Sequence, residues 1–228
     1  YLQLVLGLSP LLAGLWTVPS AAGLVVGPLL VPLLARRLQP GVLMSAGLAV
    51  MAIGCALLSQ VSTSSGLWVA VMASVIIFLG LPPIVVLATD QVVGAAEPER
   101  AGSASAISET SFELGGALGI AVLGSIGAAA YRAHMATGLS LPAPLAEGAR
   151  ATLASAIEVS GQLPGEAGAS LLGAAREAFV QGLHVVAVAG VIITLGAAAA
   201  NAALVCRKTR SLTLDGAGST QQTGQLLV

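Results

Sequence analysis

Five long apolar runs, separated by short polar stretches, dominate the pattern of the chain. They cover residues 10–35, 41–60, 67–93, 101–131 and 179–206. Each is near or above the roughly 20 residues that a helix needs to cross a bilayer. The pattern therefore predicts an all-α protein, a polytopic bundle of membrane-spanning helices. Residues 1–9 are expected to end a truncated transmembrane helix, and residues 207–228 are expected to form a tail.

The polar segment 132–178 carries its own helical pattern. The stretches LAEGARATLASAIEV and EAGASLLGAAREAF both space their apolar residues as a helix does, and the turn residues SGQLPGE lie between them. We therefore expect a short helical hairpin outside the membrane. The alternative is a flexible linker, which the amphipathic pattern of both halves disfavours.

Basic residues near the predicted helix ends differ between the two sides of the membrane. One side holds Arg36, Arg37, Arg100, Arg207, Lys208 and Arg210. The other side holds Arg132, Arg150 and Arg176, diluted by Glu147, Glu158, Glu166 and Glu177. The positive-inside rule places the first side, with the C-terminal tail, in the cytoplasm and the hairpin outside the cell.

Composition agrees with a membrane protein and excludes several functions. Apolar residues make up 56% of the chain and charged residues 8%, whereas soluble domains carry roughly a quarter charged residues. The net charge of −1 gives no support for nucleic-acid binding. Two cysteines in separate apolar runs indicate neither a disulfide framework nor a metal site. No cofactor is implied, and no nucleophile–base cluster suggests an enzyme.

Two carboxylates interrupt the fourth apolar run. Glu109 and Glu113 lie four residues apart and therefore share one helix face. At 1.5 Å per residue, Glu113 lies about 20 Å along the helix from Arg100, near the middle of the bilayer. A charge at that depth costs at least about 2.5–3.5 kcal/mol. Such acids suit a relay that holds a proton and releases it when water or a cation arrives; the alternative is a structural hydrogen bond to a neighbouring helix.

Other polar and aromatic residues are weaker candidates. Asp90 lies near the cytoplasmic end of its run and is expected to join a charge network with Arg100, Arg36 and Arg37. Phe112 and Trp16 are candidate aromatics of a substrate cavity, because aromatic faces attract organic cations; ordinary packing is the alternative for both.

Small residues suggest where a neighbouring helix approaches the acidic helix. The small-residue stripe of Ser111, Gly115 and Gly119 predicts that a neighbouring helix packs closely there, away from the carboxylates.

Four stretches resemble one family. They are YLQLVLGLSPLLAGL at 1–15, PLLARRLQPG at 32–41, PERAGSASAISETSFELGGALGIAVLGSI at 98–126 and AREAFVQGLHVVAVAG at 175–190. In this order they resemble the fourteen-span drug:proton antiporters of the major facilitator superfamily, of the QacA and SmvA type. The 98–126 stretch is the specific one.

The resemblance implies a partial C-terminal half of the superfamily fold, with residues 10–206 as spans ten to fourteen. The acidic pair linked to proton coupling and cation recognition in that family falls on Glu109 and Glu113. Some relatives carry a further acid in span ten, and residues 10–35 have none. The other half of the transporter would then lie outside this sequence and act as its partner.

The sequence thus predicts a secondary active exporter in a bacterial cell membrane, exchanging cationic or lipophilic drugs for protons. The fragment is not expected to transport alone. One alternative is an exporter of an endogenous metabolite or antibiotic. Another, from a different class, is a membrane scaffold or channel component.

Overall fold

The computed structural model describes residues 1–64, 66–136 and 143–225. Within these residues the chain is all-α, as predicted. The helices are α1 (Pro10–Ala35), α2 (Pro40–Leu58), α3 (Leu67–Gly94), α4 (Ala101–Ala136), α5 (Ala143–Ala151), α6 (Leu153–Gln162) and α7 (Gly165–Gln225), with one 3₁₀ turn at Pro98–Arg100. Five of the described helices are long and apolar enough to cross a membrane: α1, α2, α3, the helix from Pro98 to Ala136, and Gly165–Cys206 of α7.

Prolines and capping residues set several helix starts. Pro10 and Pro40 occupy the first turns of α1 and α2, where a missing N–H leaves no broken hydrogen bond. The Ser9 hydroxyl caps α1 by accepting a hydrogen bond from the Leu12 N–H at 3.4 Å. Residues 2–5 form a turn in which the Val5 N–H donates to the Tyr1 carbonyl at 3.0 Å. The expectation that residues 1–9 end a longer helix stays a prediction. Ser9 separates this turn from α1, since its extended backbone begins a new helix.

The bundle is built on close contacts between α3 and its neighbours. α3 packs against both α1 and α2, α2 packs against α7, and α4 packs against α7 and more weakly against α3. Small residues allow these contacts: Gly23 and Gly27 of α1 are buried against α3. An added Cβ at Gly27 would overlap the Pro82 ring. This explains why α1 carries glycines at positions 23 and 27.

Polar contacts define two ends of the bundle. At one end the Asn201 side-chain amide donates to the Gly41 carbonyl at 2.7 Å. At the other end the His184 ring nitrogen donates to the Val61 carbonyl at 2.7 Å. The second end also holds α5 and α6, and we call it the hairpin end.

The hairpin differs from its prediction. The first predicted helix is divided at Thr152, whose extended backbone and side-chain hydroxyl cap α6. The second predicted helix is the beginning of α7, because the chain has no proline after Pro164 to separate it from the last span. α7 also continues beyond residue 206, where a separate tail was expected.

Candidate functional site

The two glutamates lie on the least covered helix of the bundle. Only 6% of the apolar window of Pro98–Ala136 is buried, against 28% for α3. Glu109 and Glu113 are both exposed, whereas Phe112 between them is half-buried. One helical turn, about 6 Å along the axis, separates the two carboxylates. The open face of α4 therefore carries both acids.

A buried hydroxyl pair sets the rotation of α4. Ser108 is 7% exposed, and its Oγ lies 3.3 Å from the Thr89 Oγ1 of α3. Successive residues of a helix are rotated by about 100°. Because Ser108 faces α3, Glu109 is turned about a quarter of a circle or more away from that contact. This pair was not anticipated, although hydroxyls in apolar runs are a usual signal of helix–helix hydrogen bonds.

A groove continues the acidic face toward the hairpin end. The α4–α7 groove has a volume of about 720 Å³ and no acidic or basic side chain in its lining. Its residues are Gly116, Gly119, Ile120, Leu123, Gly124, Gly127, Ala128, Tyr131, Ala151, Thr152, Leu153, Phe179, Gly182, Leu183 and Val186. Gly116, Ile120 and Gly124 follow Glu113 at steps of three or four residues, so they share its face. Glu113 thus lies on the same helix face as the groove, three residues before Gly116, although neither carboxylate belongs to the lining.

The closest approach of α4 and α7 occurs at glycines other than those predicted. A Cβ added to Gly182 would lie 2.9 Å from the Gly127 carbonyl oxygen. A Cβ added to Gly115 or Gly119 would meet no atom within 4 Å. No helix of the described residues packs closely along Ser111, Gly115 and Gly119, since the contact of α4 with α7 follows the Gly127 level of the helix. Close packing along this stripe stays a prediction.

The glutamates have no partner among the residues that the structure describes. Neither Glu109 nor Glu113 forms an ion pair or hydrogen bond there. Within the described residues, no basic side chain therefore balances either carboxylate. In the same described ranges no cluster of three or more His, Cys, Asp or Glu side chains could hold a metal ion.

The structure does not assemble the expected charge network around Asp90. Arg100 instead pairs with Glu97, with Nε 3.4 Å from the carboxylate oxygen. Asp90 is exposed at its helix end. No ion pair joins it to Arg36, Arg37 or Arg100 in the described part of the chain.

The two candidate aromatics lie in separate places. Trp16 packs perpendicular to Trp68, with ring centroids 4.7 Å apart. It lines a cavity between α1, α3 and residues 1–4 to which α4 contributes no residue. Phe112 does not line that cavity.

The described residues form an all-α bundle with five candidate spans, and two of these, α1 and α3, contain internal prolines. One span carries an unpaired carboxylate pair. These features define a multi-pass membrane protein of transporter type. Residues 1–120 match the family model of the Major Facilitator Superfamily, and the chain belongs to that superfamily. The matched region includes both glutamates.

Curated relatives are export and resistance proteins. The chain is 35% identical over 199 residues to the multidrug efflux pump LfrA of Mycolicibacterium smegmatis, covering 87% of this chain and 40% of the relative. It is 30% identical over 214 residues to a tetracenomycin C resistance and export protein of Streptomyces glaucescens, covering 88% and 39%. It is 29% identical over 180 residues to the methyl viologen resistance protein SmvA of Salmonella typhimurium, covering 78% and 36%. The chain therefore spans about two fifths of the length of these relatives.

Proposed function

We propose that this chain is the C-terminal part of a proton-coupled exporter that moves cationic or lipophilic drugs out of a bacterial cell. The observation that carries the proposal is the carboxylate pair Glu109 and Glu113, which has no partner among the described residues and lies on the helix face that continues into an apolar groove. The names of the similar efflux and resistance proteins support the same function. The partner is the N-terminal half of the same transporter, which covers the open face of α4.

Proton coupling follows from the cost of a carboxylate in an apolar setting. With the open face covered by lipid or by the second half, the neutral acid is favoured, because ionised groups are expensive to desolvate. An organic cation that enters the groove offsets this cost and displaces the proton. Protons arriving from outside then neutralise Glu113 and Glu109, and the cation loses its counter-charge and leaves outward.

The two acids have different tasks in this scheme. Glu113 lies nearer the middle of the span, where transporters of this kind hold their substrates. Glu109 is one turn closer to the end that carries Arg100 and releases the proton toward the cytoplasm. Export therefore fails without Glu113 and is weakened without Glu109.

The test uses the full-length transporter with Glu113→Gln, Glu109→Gln and the control Glu147→Gln, a surface glutamate of α5. Inside-out vesicles with a proton gradient are given ethidium. We expect Glu113→Gln to abolish gradient-driven uptake, since an amide carries no exchangeable acid proton, and Glu109→Gln to reduce it. Glu147→Gln should transport normally. Normal uptake by Glu113→Gln at wild-type abundance would contradict the coupling role and favour a structural one.

A second candidate function is export of an endogenous antibiotic or other metabolite. It is favoured by the similarity to the tetracenomycin C export protein and to a puromycin resistance protein of Streptomyces alboniger. Uptake of a neutral polycyclic aromatic compound, with no uptake of any organic cation, would select this function. Absence of gradient-driven uptake of both classes would favour a scaffold or channel component instead.

A further inference from the structure

Two basic segments that are far apart in the sequence lie at the same end of the bundle, opposite the hairpin end. Arg36 and Arg37 follow the last residue of α1, and the stretch RKTR at 207–210 continues α7. The contact between α2 and α7 brings the segments to one place, because the Asn201 amide donates to the Gly41 carbonyl at 2.7 Å. Arg37 lies four residues before this contact and Arg207 six residues after it. We call these five basic residues the basic patch: Arg36, Arg37, Arg207, Lys208 and Arg210.

Little acidic charge balances the basic patch. No acidic residue precedes Asp90 in the sequence, and none lies between Cys206 and Asp215. Arg36 and Arg37 are exposed and form no ion pair with a described residue, Asp90 included.

The turn between α3 and α4, at the same end of the bundle, has the opposite character. Arg100 pairs there with Glu97 at 3.4 Å, and Glu99 adds a further negative charge. The positive charge of this end is therefore concentrated beside α2 and α7 rather than spread evenly over it.

The patch lies on the side of the bundle that is away from the acidic helix. α2 packs against α3 and α7, which separate it from α4. The second half of the transporter, which we propose to cover the open face of α4, therefore leaves the α2–α7 side to the lipid. Exposed apolar side chains adjoin the patch there, namely Leu38, Val42 and Leu204. Basic residues that follow directly on such side chains lie at the depth of the lipid head groups.

We propose that the basic patch binds the head group of an anionic phospholipid of the phosphatidylglycerol class. Arginine binds phosphate oxygens through two parallel hydrogen bonds, and clusters of basic residues beside a membrane span attract anionic lipids. The bound lipid joins the α1–α2 turn to the start of the tail and so strengthens the contact between α2 and α7. This inference goes beyond the proposed export function, since it involves neither the drug nor the proton.

The experiment measures lipid binding to the full-length protein. Phosphatidylglycerol and phosphatidylcholine are titrated separately into the delipidated protein in detergent, and native mass spectrometry gives the apparent Kd of each. One double variant is Arg36→Gln with Arg37→Gln, and the other is Arg207→Gln with Lys208→Gln. The matched control is Arg100→Gln, a basic residue of the same end that already has a carboxylate partner.

We expect the wild type to bind phosphatidylglycerol more tightly than phosphatidylcholine. Each double variant should raise the Kd for phosphatidylglycerol by about tenfold, because each basic residue near an anionic surface contributes several-fold to binding. The Kd for phosphatidylcholine should stay within about twofold in both, which also shows that the variants are folded. Arg100→Gln should leave both values unchanged, and salt at about 1 M should weaken the binding of phosphatidylglycerol alone.

A conservative variant separates charge from local structure. Arg36→Lys with Arg37→Lys keeps both positive charges and should bind phosphatidylglycerol within about threefold of the wild type. Equal affinity of the wild type for the two lipids would overturn the proposal and would indicate that an acidic segment of the protein covers the patch. An unchanged Kd for phosphatidylglycerol in both double variants, or the same loss in Arg100→Gln, would also overturn it.

Discussion

Where α2 crosses α3, the two helices contact each other through backbone atoms rather than through side chains. A Cβ added to Gly47 would lie 2.6 Å from the Gly80 carbonyl oxygen, and one added to Gly80 would lie 2.5 Å from that of Gly47. Such approach is typical of membrane helices, whose association depends on van der Waals packing rather than on the hydrophobic effect. A methyl group here must move a helix, because the opposing atom belongs to the backbone.

Gly47→Ala should therefore destabilise the full-length protein. Overpacking of this kind costs about 1–3 kcal/mol. The matched control is Gly173→Ala, since a Cβ at Gly173 meets no atom within 4 Å. The melting temperature in detergent, measured by size-exclusion chromatography after heating, should fall for Gly47→Ala and stay unchanged for Gly173→Ala. Equal melting temperatures would show that the crossing tolerates a wider separation.

For individual residues, the sequence identified the charged side chains of interest, but it did not predict how α4 is rotated about its own axis. Glu109 and Glu113 could be selected because carboxylates are rare in apolar runs. Their freedom from partners, the Ser108–Thr89 contact and the Gly127–Gly182 approach depend on how α4 is rotated against α3 and α7. Several faces of α4 carry small residues, so its sequence pattern alone does not choose among them.

Two polar contacts and one tight apolar contact hold α2 and α7 together along their lengths. Asn201 donates to the Gly41 carbonyl and to the Ser45 hydroxyl near one end, and His184 donates to the Val61 carbonyl near the other. Between them, a Cβ at Gly190 would lie 3.6 Å from the Cys55 Cβ. We therefore expect α2 and α7 to stay together as one unit.

Gly190→Cys should form a disulfide with the native Cys55. The Cβ separation lies within the range of about 3.5–4.5 Å that disulfides require. Oxidised protein should show the cross-link by mass spectrometry and retain export, because alternating access moves one half against the other as rigid bodies. Cys206→Ser removes the other cysteine of this chain as a control. Loss of export on oxidation, restored by reduction, would show that α2 and α7 slide during transport.

Element boundaries were predicted well where composition changes abruptly and poorly elsewhere. The bounds of α1 agree with the prediction because Ser9 and Pro10 mark its start and polar residues follow Ala35. The hairpin was misdivided because Thr152 interrupts a stretch whose apolar spacing continues through it. The final helix exceeds its prediction because no proline interrupts the chain after Pro164.

At the scale of the whole molecule, the uneven distribution of basic residues fixes the orientation that we propose, with the hairpin end outside the cell. Gln162→Cys, exposed at the end of α6, and Gln39→Cys, exposed between α1 and α2, test it. An impermeant thiol reagent should label Gln162→Cys in intact cells and Gln39→Cys only after permeabilisation. The reverse labelling pattern would invert the orientation.

The length of α7 has a practical consequence for imaging this protein. Gly165–Cys206 contains 42 residues, about 63 Å of helix, roughly twice the thickness of the hydrocarbon layer. Its outer part carries α5 and α6 through a core in which Ala149, Ala156 and Ala175 have no exposed surface. An antibody fragment bound to α5 and α6 would project above a detergent micelle. Its orientation would be fixed relative to the last span, because α5 and α6 pack against the same helix. It would serve as an alignment landmark in electron micrographs and report the tilt of the helix directly.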